Sequence, residues 1–515
     1  MLARAHAFTI DGFQVHHVTV EVDVRPGLPA FVIVGLADTA VREARERIAS
    51  AIRNSGYQFP PRRITANLAP ADVPKAGPGL DLPLACALLA ASGQLPCDEL
   101  ADLALAGELG LDGSLRPTRG TLAIAQAARA AGLRALALAP ERSREAGLIG
   151  GLEIAAVGSL RSAVRLLRGG TPDRPPATAP RRRPERPAAA GPDLADVRGQ
   201  PLAVRALMIA AAGSHNLLLS GAPGTGKTML AQRLPSILPP LEHEEAIEVT
   251  RIRSLLGEQI GELVRSRPFR APHHTVTAAG MLGGARPGAP GEVVLAHNGV
   301  LFLDELSEFS RTVLESLRQP IEDGRVTIAR AHHHSVYPAR FMLVAATNPC
   351  PCGFAAEPER CRCSEADLAR HRRRLSGPLL DRVDLLVNLR RATPGGEHPE
   401  PVISSARARE RVARAWERQR RSLRGQNAVH NGHMDARALR SSARLDGDAA
   451  EMLRRAREVG LLSARGEHRT ARVARTIGDL AGSSLVRSEH MAEALAFRPD
   501  LAYEPALAAP AGVPP

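Results

Sequence analysis

The sequence predicts an α/β protein with a helical C-terminal part. Three observations carry that expectation. Short apolar runs alternate with helix-period segments through residues 1–168 and again through 194–390. One run, "NLLLSGAPGTGKTMLAQRL", is a strand, a glycine-rich turn and a helix in succession. Beyond residue 400 the chain turns helical and Arg-rich, with turn signals such as "LDGD" and "SARGEH".

Taken in order, "FVIVGL" (31–36) reads as a strand. The helix after it starts at Asp38 as N-cap and buries Val41, Ala44, Ile48, Ala51 and Ile52 on one face. Gly56 fits the position beyond its C-cap. "RRITANLAP" is a strand and "LDLPLACALLAAS" a helix, and "LALAGEL", "TLAIAQAARAAG" and "ALALAP" continue the alternation. Residues 169–193 are rich in Pro, Ala and Arg with no apolar period, so they read as a linker. Residues 194–390 form a second α/β unit, 391–499 a helical domain, and 500–515 a disordered tail.

Composition narrows the function. The chain has 515 residues, 44% hydrophobic but only 3% aromatic, so its cores are built from Leu, Val, Ala and Ile. A net charge of +13 favours a polyanionic partner, with nucleic acid first in line. The N-terminus lacks the apolar region of a signal peptide, and the most apolar stretch is interrupted by Asp81 and Pro83. Four of the six cysteines fall within fourteen positions, which is no disulfide framework. The expectation is a cytoplasmic protein with no membrane span. All but two of the 67 Lys and Arg residues are arginine, and the exceptions are Lys75 and Lys227.

Lys227 lies in "GAPGTGKT", where Gly221, Ala222, Pro223, Gly224, Thr225 and Gly226 form a loop that wraps phosphates with backbone N–H groups. Lys227 would reach the β- and γ-phosphates of ATP, and the Thr228 hydroxyl would ligate Mg²⁺. A planar guanidinium does not fit that cradle, which explains one surviving lysine. In "GVLFLDE" an apolar strand delivers Asp304 to the Mg²⁺ and Glu305 to the attacking water. "FMLVAATNPC" ends a further strand at Asn348, placed to position that water. In "SGPLLDRVD", Arg382 is placed to complete a neighbouring subunit's site, and Arg472 or Arg475 of "HRTARVARTIGDLAG" to touch the γ-phosphate from the lid.

This order of motifs, with "DVRGQ" before the phosphate loop, resembles an AAA+ ATPase. "RPFRAPHHT", "GEVVLAHNGVLFLDELSEF", "TNPCPCG", "SGPLLDRVD" and "RVARTIGDLAG" narrow the likeness to the ComM/YifB family of magnesium-chelatase-like AAA+ proteins, over nearly the whole chain. The resemblance implies a three-layer core with a parallel sheet and a helical lid. It also implies a hexameric ring with ATP at subunit interfaces and a DNA motor associated with branch migration during natural transformation. A chelatase-type ATPase that remodels a protein partner for metal insertion is the rival reading. The first domain resembles a Lon-protease-like domain through "PKAGPGLDLPLA". Gly79 stands where proteolytic members carry serine, and no lysine lies near Leu122 or Ala123, so proteolysis is not expected.

"CPCGFAAEPERCRC" places Cys350, Cys352, Cys361 and Cys363 as two close pairs joined by a short loop, a pattern that makes a structural four-thiolate zinc site. "VTIARAHHHSVYPARF" reads as a hairpin with His332, His333, His334 and Arg330 at its tip, suited to a phosphate backbone. "AAGMLGGARPGAPGEV" (278–293) reads as a second pore loop with Arg286 as a contact. Lys75, on a Pro/Gly loop, is expected to present its charge to an anion.

Overall fold

Two sheets organise the chain. The computed structural model describes all residues except 37, 76, 174–191, 285–289, 331–332, 356–358, 375–376, 390–402 and 499–515. Most of the expected linker, the tail, Arg286 and His332 lie outside the described residues.

The first sheet begins with a hairpin of β1 (Leu2–Asp11) and β2 (Gln14–Arg25), paired antiparallel from Asp11↔Gln14 to Leu2↔Asp23. This hairpin is missing from the sequence expectations. Its signal is Asp-Gly between two alternating runs. β3 (Ala30–Val34) and β4 (Arg63–Ala69) flank it on one side, and β5 (Leu103–Leu105) on the other. β6 (Glu108–Leu109) and β7 (Leu115–Arg116) form a separate ribbon, while β8 (Ala135–Leu138) and β9 (Glu153–Ala156) complete the order β3-β4-β2-β1-β5-β8-β9. Helix Thr39–Asn54 starts where expected, with the Asp38 carboxylate accepting from the Val41 N–H at 2.8 Å. Helix Asp81–Ala91 is buried along its whole length, which accounts for its lack of any polar face.

Lys75 corrects an expectation. Its side chain is fully buried and its ammonium donates to the Pro70 carbonyl. Burial lowers its pKa. Its backbone N–H donates to Leu36 O at 3.1 Å and its carbonyl accepts from Asp38 N–H at 3.0 Å. The lysine therefore pins its own loop against the start of the Thr39–Asn54 helix and presents no charge to an outside anion.

The second sheet contains β10 (Leu217–Gly221), β11 (Phe269–Arg270) and β12 (Gly299–Leu303). After β12 come β13 (Arg325–Arg330) and β14 (His333–Pro338), which among the described residues pair only with each other, as the expected hairpin. β15 (Phe341–Thr347) and β16 (Leu385–Leu389) complete an all-parallel sheet of order β11-β12-β15-β10-β16. Every residue of β10, β12 and β15 is buried, so these strands read as continuous apolar runs.

Helices Ser405–Ser422, Ala436–Ser442, Gly447–Glu458, Ala464–Ala481 and Ser488–Ala496 form the lid. They share one apolar core with helix Pro201–Gly213. Trp416 Nε1 donates to Ala211 O at 3.1 Å and Gln419 Nε2 to Ala212 O at 2.8 Å. His215 Nε2 and Thr476 Oγ1 are hydrogen-bonded at 2.8 Å. His215 lies just before β10, so the lid docks where the parallel strands begin. The phosphate loop sits where they end.

Candidate nucleotide site

β10 delivers Gly221 to the carboxyl edge of the sheet, and Gly226, with φ +89°, caps the helix Lys227–Ile237 that follows. Lys227 Nζ donates to the carbonyls of Gly221 (2.7 Å) and Ala222 (3.1 Å) and to Asn348 Oδ1 (3.0 Å). Burial pushes its pKa down, while Asp304 and Glu305 pull the other way. The carbonyl contacts fold the ammonium back over its own loop, where an arriving phosphate could replace them.

β12 runs beside β15 and brings Asp304 to the same edge. Thr228 Oγ1 donates to Asp304 Oδ2 at 2.7 Å. A hydroxyl and a carboxylate so placed are the oxygen donors a Mg²⁺ ion takes beside a nucleotide. Glu305 follows in the left-handed region, at φ +52° and ψ +52°. That conformation costs a non-glycine residue about 1 kcal/mol or more and turns the carboxylate out of the strand line into solvent. The donor set fits Mg·ATP: loop amides and Lys227 for phosphate, Thr228 and Asp304 for the ion. The bound group would supply a polarised γ-phosphate, and the Glu305 carboxylate is exposed to water.

Sequence reasoning passed over three neighbours of this site. His274 Nδ1 lies 3.8 Å from Glu305 Oε2, just beyond β11. His371, buried on helix Glu365–Arg374, lies with Nε2 2.9 Å from Asn348 O and so braces the chain just beyond β15. Gly353 packs on the phosphate loop: a Cβ there would fall 2.4 Å from Pro223 Cδ. "APHHT" and "CPCG" were visible, but only the folded chain puts them against Glu305 and Pro223.

The four cysteines gather as expected. Their Sγ atoms all lie within 4.8 Å of one another, with Cys350–Cys352 at 3.3 Å, Cys350–Cys361 at 4.0 Å and Cys352–Cys361 at 3.7 Å. Zinc bound tetrahedrally at about 2.3 Å to each sulfur sets the sulfurs just under about 4 Å apart, so this donor set fits the ion. Backbone N–H groups of Arg362 and Phe354 hold the Cys352 thiol down to about 6, whereas burial pushes Cys350 up to about 12. Cys86 is buried and Cys97 half-buried, both away from the cluster.

The arginines fall elsewhere. Arg382 is buried and pairs through Nη2 with Glu322 Oε1 at 2.5 Å in its own chain. Arg475 is committed to Asp479 (2.8 Å) and to the carbonyls of Ser483 and Ser484. Arg472 donates to Gly432 O at 3.2 Å, beside the chain that leads into β10. Asp384, just before β16, is the first charge acting on it after burial. Both lid arginines thus sit at the amino edge of the sheet. Within one chain β10 lies between both arginines and the phosphate loop.

At the hairpin, the backbone of Arg330, His333 and His334 is described but their side chains are not, so the tip contacts lie outside the described residues. The second loop closes through a Gly283↔Pro290 bridge, and its Gly284 faces Ile328 of the hairpin. Among the described residues no helix is long and apolar enough to cross a membrane.

Three family models match the chain. Residues 193–396 match "Magnesium chelatase, subunit ChlI", residues 20–142 match "Subunit ChlI of Mg-chelatase", and residues 403–498 match the C-terminal part of subunit ChlI. The uncharacterized protein YifB of Escherichia coli is 43% identical over 501 residues, covering 96% of this chain and 97% of that protein. An uncharacterized protein of Mycobacterium tuberculosis is 42% identical over 503 residues, 96% and 98% of the two chains. The competence protein ComM of Haemophilus influenzae is 40% identical over 506 residues, 96% and 97% of the two chains. Such membership suggests ATPase activity with ATP and Mg²⁺. With phosphate loop, Asp304–Glu305 and Asn348 converging at one sheet edge and relatives matching end to end, the chain belongs to the ComM/YifB family of magnesium-chelatase-like AAA+ proteins.

Proposed function

We propose that this chain is an ATP-driven DNA translocase that assembles as a hexameric ring and moves branch points in recombination intermediates during natural transformation. The observation that carries the ATPase half is the convergence of Lys227, Thr228, Asp304 and Asn348 at one sheet edge, Lys227 bonded to Asn348 and Thr228 to Asp304. The DNA half is supported by the +13 charge, the separate two-stranded hairpin Arg325–Pro338 and the competence-named relative. In this reading Glu305 activates water, Asn348 positions it, and Arg382 acts on a neighbour's nucleotide after its Glu322 pair opens. The hairpin tip and the 278–293 loop face DNA in the pore, and four thiolates hold one zinc beside the sensor strand. Cysteines with no disulfide between them suit a reducing cytoplasm.

The matching chelatase models favour one rival, a subunit that remodels a protein partner for metal insertion. ATP hydrolysis with and without forked or four-way DNA separates the two. Stimulation by branched DNA, with binding that weakens steeply as salt rises, supports the motor. Activity indifferent to every DNA at low salt defeats it. Metal analysis of protein purified without chelator should find zinc at about one ion per chain.

A further inference from the structure

We infer that the N-terminal domain anchors the β13–β14 hairpin, with Asp11, Gly12 and Phe13 acting as positioning residues for it. A two-stranded ribbon that joins no larger sheet is marginal in water and keeps its direction only by packing. β13 and β14 pair with nothing else among the described residues. The base of the ribbon is buried at Val326 and Tyr337, and the partly buried Phe13 packs against that cluster from the first domain.

The contact is specific. Ser335 Oγ donates to Asp11 Oδ1 at 2.8 Å across 324 residues of chain. Gly12 follows at φ +59°, and a Cβ there would fall 2.6 Å from Ser335 Cβ and 3.3 Å from Tyr337 Cζ. Both the backbone and the hairpin therefore demand glycine at this turn. The Arg251 guanidinium lies 4.0 Å from the centre of the Phe13 ring and also donates to the Phe13 carbonyl. Arg251 sits on helix His243–Leu255, which a second contact ties to the same domain. There Arg142 Nη2 donates to Gly257 O at 2.8 Å, and Ser254 Oγ donates to the buried Glu145. The β1–β2 turn is thus held from both sides, and the hairpin's base cannot shift without it. A domain that has Gly79 where a protease would carry its nucleophile acquires a mechanical role, setting the angle at which the hairpin is presented.

The consequence for strand movement rests on the motor reading above, while the docking rests on geometry alone. Gly12→Asn in the full chain is the sharpest test, because Asn tolerates positive φ and adds chiefly the Cβ contact. Hydrogen exchange of the amides in 325–338 should rise about tenfold or more in that variant. ATP hydrolysis without DNA should stay within about twofold of wild type, and branch migration should fall about tenfold. Ser335→Ala, which gives up the hydrogen bond to Asp11 and keeps the Cβ, should loosen the same amides by a smaller factor. Should Gly12→Asn fail to fold, Phe13→Ala gives the same pattern at smaller amplitude. Unchanged exchange in Gly12→Asn, or in Phe13→Ala standing in for it, would overturn the inference, and loosened exchange with undiminished branch migration would overturn its consequence for strand movement. A wild-type protein that no DNA stimulates defeats the motor reading instead, and the exchange measurement still decides the docking.

Discussion

At the carboxyl edge of the five-stranded sheet, Thr228 and Glu305 stand open to solvent with few partners of their own chain. At the amino edge, His215, Asn431, Thr476, Asp479 and Arg475 are buried and bonded mainly to one another. Asn431 Nδ2 donates to Thr476 Oγ1 (3.1 Å) and to Asp479 Oδ2 (2.7 Å), and its N–H donates to Gln419 Oε1 at 2.9 Å. Both edges are polar. One is left accessible, with strain stored at Glu305, and the other is closed by the lid. Polarity alone therefore does not mark a functional site in this fold. Exposed polarity at the strand ends that carry a helix N-terminus does.

The comparison predicts opposite phenotypes. Glu305→Gln and Lys227→Arg should each lower ATP turnover by about a hundredfold or more, because in the proposed reading Glu305 activates the attacking water and Lys227 holds the transferring phosphate. Denaturant unfolding should move by no more than about 0.5 kcal/mol in Glu305→Gln, and by no more than about 1.5 kcal/mol in Lys227→Arg, which gives up hydrogen bonds but no core. Nucleotide binding should survive in Glu305→Gln. A large stability loss in either variant would break the contrast from the side of the carboxyl edge.

Asn431→Ala should show the reverse. It leaves the buried carboxylate of Asp479 one donor short, which costs about 2–4 kcal/mol. ATP affinity should hold within about twofold, because the network and the phosphate loop share no group. Equilibrium unfolding beside a nucleotide titration measures both. Weakened ATP binding at undiminished stability would mean that the lid joint belongs to the site.

A smaller effect is set by pH. Burial holds His430 neutral, with its pKa pushed well below the usual imidazole value. Its folded pKa lies below the unfolded value, so the unfolded chain takes up a proton first as pH falls. The stability due to His430 is complete above about pH 6.5 and is lost as pH falls below that, at up to about 1.4 kcal/mol per pH unit. His430→Asn should flatten the pH dependence of the unfolding free energy by about one such increment. An unaltered slope would show that His430 is hydrated in the native joint.

The same contrast explains what could be read without the fold. The nucleotide edge is written in contiguous stretches, since a phosphate cradle needs about eight neighbouring residues and a metal-binding acid needs only an apolar strand before it. Strands β10, β12 and β15, the Thr39–Asn54 helix with its Asp38 cap, the hairpin and the cysteine cluster were legible for that reason. The amino edge was not. Thr476 meets His215 across 261 positions, and no local period records that. Lys75 looked like a presented charge because a Pro/Gly loop is usually a surface loop. Its burial depends on Pro70 and Asp38, which only the fold brings round it.

Arg472 gives the finest test, because sequence order and structure assign it to different edges. Order along the chain puts it on a γ-phosphate, where its loss would cost turnover heavily. The structure puts it at the amino edge, with a hydrogen bond of 3.2 Å to Gly432 O. On that geometry Arg472→Ala removes about 1 kcal/mol of stability and leaves turnover within about threefold of wild type. Arg475→Ala, which gives up a carboxylate and two carbonyls at once, should be the more destabilising of the two. The measurement is steady-state ATP hydrolysis beside denaturant unfolding for both variants. If Arg472→Ala lost turnover about tenfold or more at undiminished stability, the two edges would not be separate in the assembled protein. The amino edge of one chain would then reach the nucleotide of the next, since within one chain β10 stands between them.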